Sequence, residues 1–72
     1  MSDLQSLGIR VNGEPRRVPS GLSIAAMLSE LGLDPLRVAV ECNLAIVPRS
    51  TLGQVRVEDG DQYEIVHFVG GG

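Results

Sequence analysis

Ser23-Ile24-Ala25-Ala26-Met27-Leu28-Ser29-Glu30-Leu31-Gly32 places apolar side chains at Ile24, Met27, Leu28 and Leu31, the i, i+3, i+4, i+7 spacing of one helical face. Ser23 is a natural N-cap and Gly32 a left-handed stop, while Leu22 is placed to pack back on Met27 across the first turn. A helix of about eight or nine residues does not persist alone in water, so its apolar face has to lie on a sheet. The sequence on either side supplies the strands.

Upstream, Gly8 to Val18 reads as two extended segments around Asn12-Gly13, a dipeptide that tolerates the positive φ angles of a tight hairpin. Ile9 and Val11 share one face. Pro15 cannot donate to a ladder, which places the second segment, Arg16 to Val18, at or near a sheet edge. Downstream of Asp34-Pro35, Val38-Ala-Val-Glu-Cys42 alternates, with Val38, Val40 and Cys42 on one side and Ala39 and Glu41 on the other. Asn43 is a turn residue, and Leu44 to Val47 form a short apolar run that Pro48 ends. Ser50 to Gln54 connect with one helical turn, and Val55 and Val57 read as a small extended piece before the Asp59-Gly60 turn. The last strand, Gln62 to Phe68, puts Tyr63, Ile65 and His67 on one face and Glu64, Val66 and Phe68 on the other. The order predicts an α+β chain with a mixed sheet of four to five strands and one main helix packed across one face. That is a ubiquitin-like β-grasp: a single domain over residues 1–72, with residues 69–72 as a flexible C-terminal tail.

Composition narrows the function. A chain of 72 residues, 43% apolar and 21% charged, is expected to fold as one small domain with a marginal core. The apolar runs are too short for a transmembrane helix, and the first residues have neither the basic start nor the apolar stretch of a signal peptide, so a cytoplasmic location is expected. A formal charge of −3 disfavours nucleic acid and an anionic membrane as partners. All six cations are arginine, so the chain has no lysine for Schiff-base or isopeptide chemistry. One cysteine and one histidine argue against an intramolecular disulfide or a metal site.

The chemistry points to the end of the sequence, Val69-Gly70-Gly71-Gly72. Three glycines maximise backbone freedom and pack against nothing, and a frayed end is the plain reading of them. After a strand of this fold they become a slim stalk that spans at most about 14 Å over four residues, enough to enter a partner's buried site. A carboxylate there, with a pKa of about 3.5, is a poor electrophile until it is activated. Joining it to AMP supplies a leaving group, after which a thiolate or persulfide attacks the carbonyl carbon.

The runs Val11-Asn-Gly-Glu14, Ala39-Val-Glu-Cys-Asn43, Ile46-Val-Pro-Arg49, Asp59-Gly-Asp61 and Glu64-Ile-Val-His-Phe-Val-Gly-Gly-Gly72 resemble the ubiquitin-like sulfur carriers of thiamin biosynthesis, the ThiS type. Differences lie at Asn43-Leu44, where a second turn residue after asparagine is common, and in the short extension before Ile9. The resemblance implies a carrier with no active site of its own. Gly72 is adenylated by a ThiF-type enzyme that uses ATP and Mg²⁺, converted to a thiocarboxylate by a sulfur-donating persulfide enzyme, and discharged to thiazole synthase. Gly70 and Gly71 provide clearance, and no cofactor is bound by the carrier itself. The alternatives are the small subunit of molybdopterin synthase, a ubiquitin-like protein modifier, and a plain interaction module.

Other residues carry weaker signals. Val66 and Phe68, followed by Val69, lie on the face that the helix leaves bare, and beside a working tail they read as a docking surface, although scattered surface apolar residues are also ordinary. Cys42 reads as a small buried hydrophobe rather than a reactive thiol, with Glu41 beside it. His67, on the inward row at the end of its strand, reads as a structural or partner-contact residue. Glu58, Asp59 and Asp61 read as a solvated acidic turn, and Arg49 as an ion-pair or partner contact without a mechanism of its own.

Overall fold

The computed structural model describes residues 5–68. Strands β1 (Ser6–Val11) and β2 (Glu14–Pro19) precede helix α1 (Ile24–Glu30), and β3 (Val38–Cys42), β4 (Ala45–Val47) and β5 (Gln62–His67) follow it. Single 3₁₀ turns occupy Pro35–Arg37 and Arg49–Thr51, the second close to the helical turn expected after Pro48. The sheet runs β2-β1-β5-β3-β4, with β5 parallel to β1 and antiparallel to β3. This is the expected β-grasp, with the last strand in the middle.

The hairpin forms for the reason its sequence suggests. Val11 pairs with Glu14, and the two residues between them, Asn12 and Gly13, take φ of 51° and 85°. Asn12 then does a second job. Its Nδ2 donates to the Ile65 carbonyl (3.1 Å) while its Oδ1 accepts from the Ile65 N–H (2.8 Å), so a side chain extends the β1–β5 ladder past its last backbone pair, Val11 with Tyr63. β2 begins at Glu14 rather than Arg16, and Pro15 is accommodated because β2 is an edge strand with one neighbour.

The helix ends are closed by the residues that announced them. Ser23 Oγ accepts from the Ala26 N–H at 3.1 Å, and the Leu52 and Val55 carbonyls accept from Ala25 and Ile24. At the other end Gly32 has φ of 81°, the Leu33 N–H donates to the Leu28 carbonyl and the Gly32 N–H to Ser29, which is a Schellman closure. Ser23→Ala is expected to cost about 1 kcal/mol, read as a lower urea midpoint.

Ile24, Met27 and Leu28 are fully buried against the sheet residues Ile9, Val18, Val38, Val40, Tyr63 and Ile65, and Leu52 and Val57 are buried in the same core. Two sequence expectations change in detail. Val55 and Val57 do not form a strand. Only an isolated bridge, Ser23 with Arg56, is made there, and Val57 is held by donating its N–H to the Leu22 carbonyl at 3.0 Å. Leu44 belongs to a turn instead of β4, because Cys42 pairs directly with Ala45 and leaves Asn43 and Leu44 as a two-residue loop.

Candidate functional site: the end of the central strand

β5 alternates as the period-two pattern requires, with Tyr63 and Ile65 buried under the helix and Glu64 and Val66 turned to the bare face. Past the strand, the Phe68 N–H donates to the Arg37 carbonyl at 3.0 Å, which fixes the chain against the start of β3 at the last described residue. Val66 is 63% exposed and Phe68 54%, so both members of the expected apolar pair are open. Val69, Gly70, Gly71 and Gly72 lie outside the described residues.

Arg49 acquires a physical role that sequence reasoning did not supply. Its guanidinium carbon lies 5.1 Å from the centroid of the Phe68 ring, within cation–π range. The contact links the turn after β4 to the base of the tail and restrains an exposed aromatic side chain. The Arg49–Phe68 coupling is expected to be about 0.5 kcal/mol, checked by a double-mutant cycle of Arg49→Gln and Phe68→Ala in urea unfolding.

His67 is correctly on the helix side by register, opposite Val38, yet it is exposed. The core ends within this pair, with Val38 buried and His67 outside it. His67 lines a cleft of about 290 Å³ with Arg16, Leu31 and Leu33, at the place where the helix has already stopped.

The acidic turn departs most from its reading. Glu58 and Asp59 are exposed, but Asp61 is buried at 8% exposure. Its carboxylate accepts from the Glu58 N–H (2.9 Å), Asn43 Nδ2 (3.0 Å) and the Tyr63 hydroxyl (2.8 Å). Burial by itself would raise this carboxyl, and the three hydrogen bonds outweigh it and hold Asp61 below the ordinary carboxylate range. Burial and the Asp61 charge push the Tyr63 phenol well up, so Tyr63 remains a donor at any working pH. Asn43 also accepts from the Gln62 N–H at 2.9 Å through Oδ1, so the cluster ties the β3–β4 turn to the start of β5. It is a structural clamp.

Cys42 is half-buried rather than buried, packed against the core beside Tyr63 and Asp61. Burial pushes its thiol up, which disfavours the thiolate and leaves Cys42 a packing residue. Among the described residues, no three His, Cys, Asp or Glu side chains gather as metal ligands, and no helix is long and apolar enough to cross a membrane.

Comparisons with known proteins agree with this geometry. A family model described as the ThiS family matches residues 9–72. The crystal structure of a thiamine biosynthesis protein (ThiS) from Geobacter metallireducens superposes with a TM-score of 0.75 at 34% identity, covering 92% of this chain and 100% of that one. A thiazole synthase of Paramagnetospirillum magneticum is 53% identical over 62 residues, which is 86% of this chain. The chain spans only 19% of that protein's length, and 20% of a second thiazole synthase, from Magnetococcus marinus, that is 47% identical. An uncharacterized protein, ycf40, of Porphyra purpurea is 32% identical over 94% of this chain and 96% of its own. Joined by fold, tail motif and match over nearly the whole sequence, the chain belongs to the ThiS family.

Proposed function

We propose that this chain is a sulfur carrier for thiazole formation in thiamin biosynthesis, a protein co-substrate rather than an enzyme. The single observation that carries the reading is a ThiS-family match that runs through Gly72, on a β-grasp whose central strand leads through an anchored Phe68 toward the Gly-Gly-Gly run in the sequence. In this reading Gly72 bears the terminal carboxylate and residues 1–72 act as one unit in the cytoplasm. A carboxylate oxygen attacks the α-phosphorus of ATP in a ThiF-type enzyme, which binds the nucleotide and Mg²⁺, and pyrophosphate leaves. The terminal sulfur of a persulfide donor then attacks the carbonyl carbon, the bond to AMP breaks, and an acyl disulfide remains. A thiol cleaves the S–S bond, becomes oxidised to a disulfide with the donor sulfur, and releases the Gly72 thiocarboxylate.

Glycine at 70 and 71 leaves clearance for a narrow channel, and the exposed Val66 and Phe68, with Val69, form the docking surface beside it. Similarity to chains named thiazole synthase supports that enzyme as the acceptor. The test is the intact mass after incubation with a ThiF-type enzyme, ATP and a persulfide donor. A gain equal to one oxygen replaced by sulfur, confined by fragmentation to Gly72, is expected. Unchanged mass with an activating enzyme proven on another carrier would overturn the assignment.

A further inference from the structure

Phe68 is the only phenylalanine of the chain, and with Tyr63 buried it is the one exposed aromatic ring among the described residues. It is also the residue from which the sequence runs on into Val69 and the three glycines. Its backbone is held at one point, the N–H that donates to the Arg37 carbonyl at 3.0 Å. A single hydrogen bond leaves a residue free to swing about it, so the orientation of residue 68 depends on what holds its ring.

Arg49 reaches that ring from a stiff base. Pro48 before it has a φ of −60°, and the Thr51 hydroxyl donates to the Pro48 carbonyl at 2.8 Å. The Leu52 N–H donates to the Arg49 carbonyl at 3.2 Å, while the Leu52 side chain is buried in the core. From there the guanidinium has a strand to cross. β4 and β5 flank β3 on opposite sides, so their backbones lie about 10 Å apart at the usual spacing. On the bare face β3 offers only the methyl of Ala39 at this level, because the register carried one step past Val40 with Val47 sets Ala39 beside Pro48. Arg37 is drawn to Asp34 instead, Nε to Oδ2 at 3.6 Å. Arg49 has no carboxylate partner among the described residues, and its guanidinium carbon stands 5.1 Å from the centroid of the Phe68 ring. An exposed arginine that crosses a strand with no ion pair to draw it is placed by the ring itself.

We propose that Arg49 is a positioning residue for loading of the tail, acting through Phe68: the ring contact and the Arg37 hydrogen bond together hold residue 68 in the orientation that the activating enzyme accepts. The inference rests on the carrier reading above. A chain whose competent orientation is only partly populated binds more weakly by that fraction, so the brace acts on association and not on the chemical step. Once the tail is seated the enzyme holds it. Arg49 stands at the opposite end of four residues that span about 14 Å when extended, too far from the reacting carbon to take part in chemistry.

The experiment follows initial rates of thiocarboxylate formation by intact mass against carrier concentration, with a ThiF-type enzyme, ATP and a persulfide donor. The thermal midpoint and the order parameter of the Phe68 backbone amide are measured alongside. Arg49→Gln is expected to raise KM about two- to threefold at unchanged kcat, the size of one exposed cation–π contact, and to lower the order parameter. The loss of so small a coupling leaves the chain folded at assay temperature, so unfolding does not account for the change. In a Phe68→Leu background the same substitution is expected to leave KM where it was, because the ring through which Arg49 acts is gone. Arg49→Gln with the KM and order parameter of the parent would overturn the inference. An equal rise in KM in both backgrounds would overturn it too, by making Arg49 a direct contact of the enzyme. A parent chain that gains no sulfur from an enzyme proven on another carrier would instead overturn the carrier reading, so the two failures are distinct.

Discussion

Deleting Gly72, or replacing Gly71 with Trp, is expected to abolish thiocarboxylate formation while the domain stays folded. Removing one residue withdraws the reacting carbon by up to about 3.5 Å. A displacement of only about 1 Å from productive geometry can cost roughly a hundredfold, so the shortened tail does not react at a measurable rate. Trp at 71 would instead block the channel that a run without side chains can enter. Among the described residues the buried core lies between Ile9 and Ile65, so both variants are expected to unfold at the parent's midpoint. Mass spectrometry of the loaded mixture and a thermal melt check the two halves together. Retained loading by a folded, truncated chain would contradict the role of Gly72.

The largest effect on stability is expected from Asp61→Ala. This change strands three donors, the Glu58 N–H, Asn43 Nδ2 and the Tyr63 hydroxyl, in a partly or fully buried place. Unsatisfied buried polar groups cost about 1–3 kcal/mol each and are not additive here, so a total of about 3 kcal/mol is expected. For a domain of this size that corresponds to a midpoint lowered by roughly 12 °C or more. Tyr63→Phe, which removes one of the three donors, is expected to cost about 1 kcal/mol. Because hydrogen bonding holds the Asp61 carboxyl below its unfolded value, its contribution is fully present above the ordinary carboxylate range. It is lost as pH falls below about 4 and through the lower folded value. Asp61→Asn is expected to flatten that acid limb, measured as the urea midpoint against pH.

Local signals made the fold legible. Ser23, Gly32 and the apolar spacing between them marked the helix, and Asn12-Gly13 marked the hairpin, because caps and tight turns demand particular residue types at fixed positions. The alternation from Gln62 onward separated Tyr63 and Ile65 from Val66 and the exposed face. What escaped were relations between distant segments. Asn12 reads as a turn former, and nothing nearby says that its amide also pairs with Ile65, 53 residues away. Asp61 sits in a Glu-Asp-Gly-Asp run that looks solvated, and its burial depends on Asn43 and Tyr63 arriving together in the folded sheet. Arg49 and Phe68 meet only because the turn after β4 and the end of β5 lie near one another. Leu44 breaks the residue preference of its turn, and the continuous apolar run from Leu44 to Val47 hid it as a strand position.

Heavy-sulfur transfer tests the central claim most directly. The chain is loaded with an isotopically labelled thiocarboxylate, freed of sulfur donor, and mixed with thiazole synthase and its other substrates. Label in the thiazole product, with the carrier returned to the mass of its carboxylate form, is the predicted result. A thiazole formed without label while the loaded carrier persists would contradict the account.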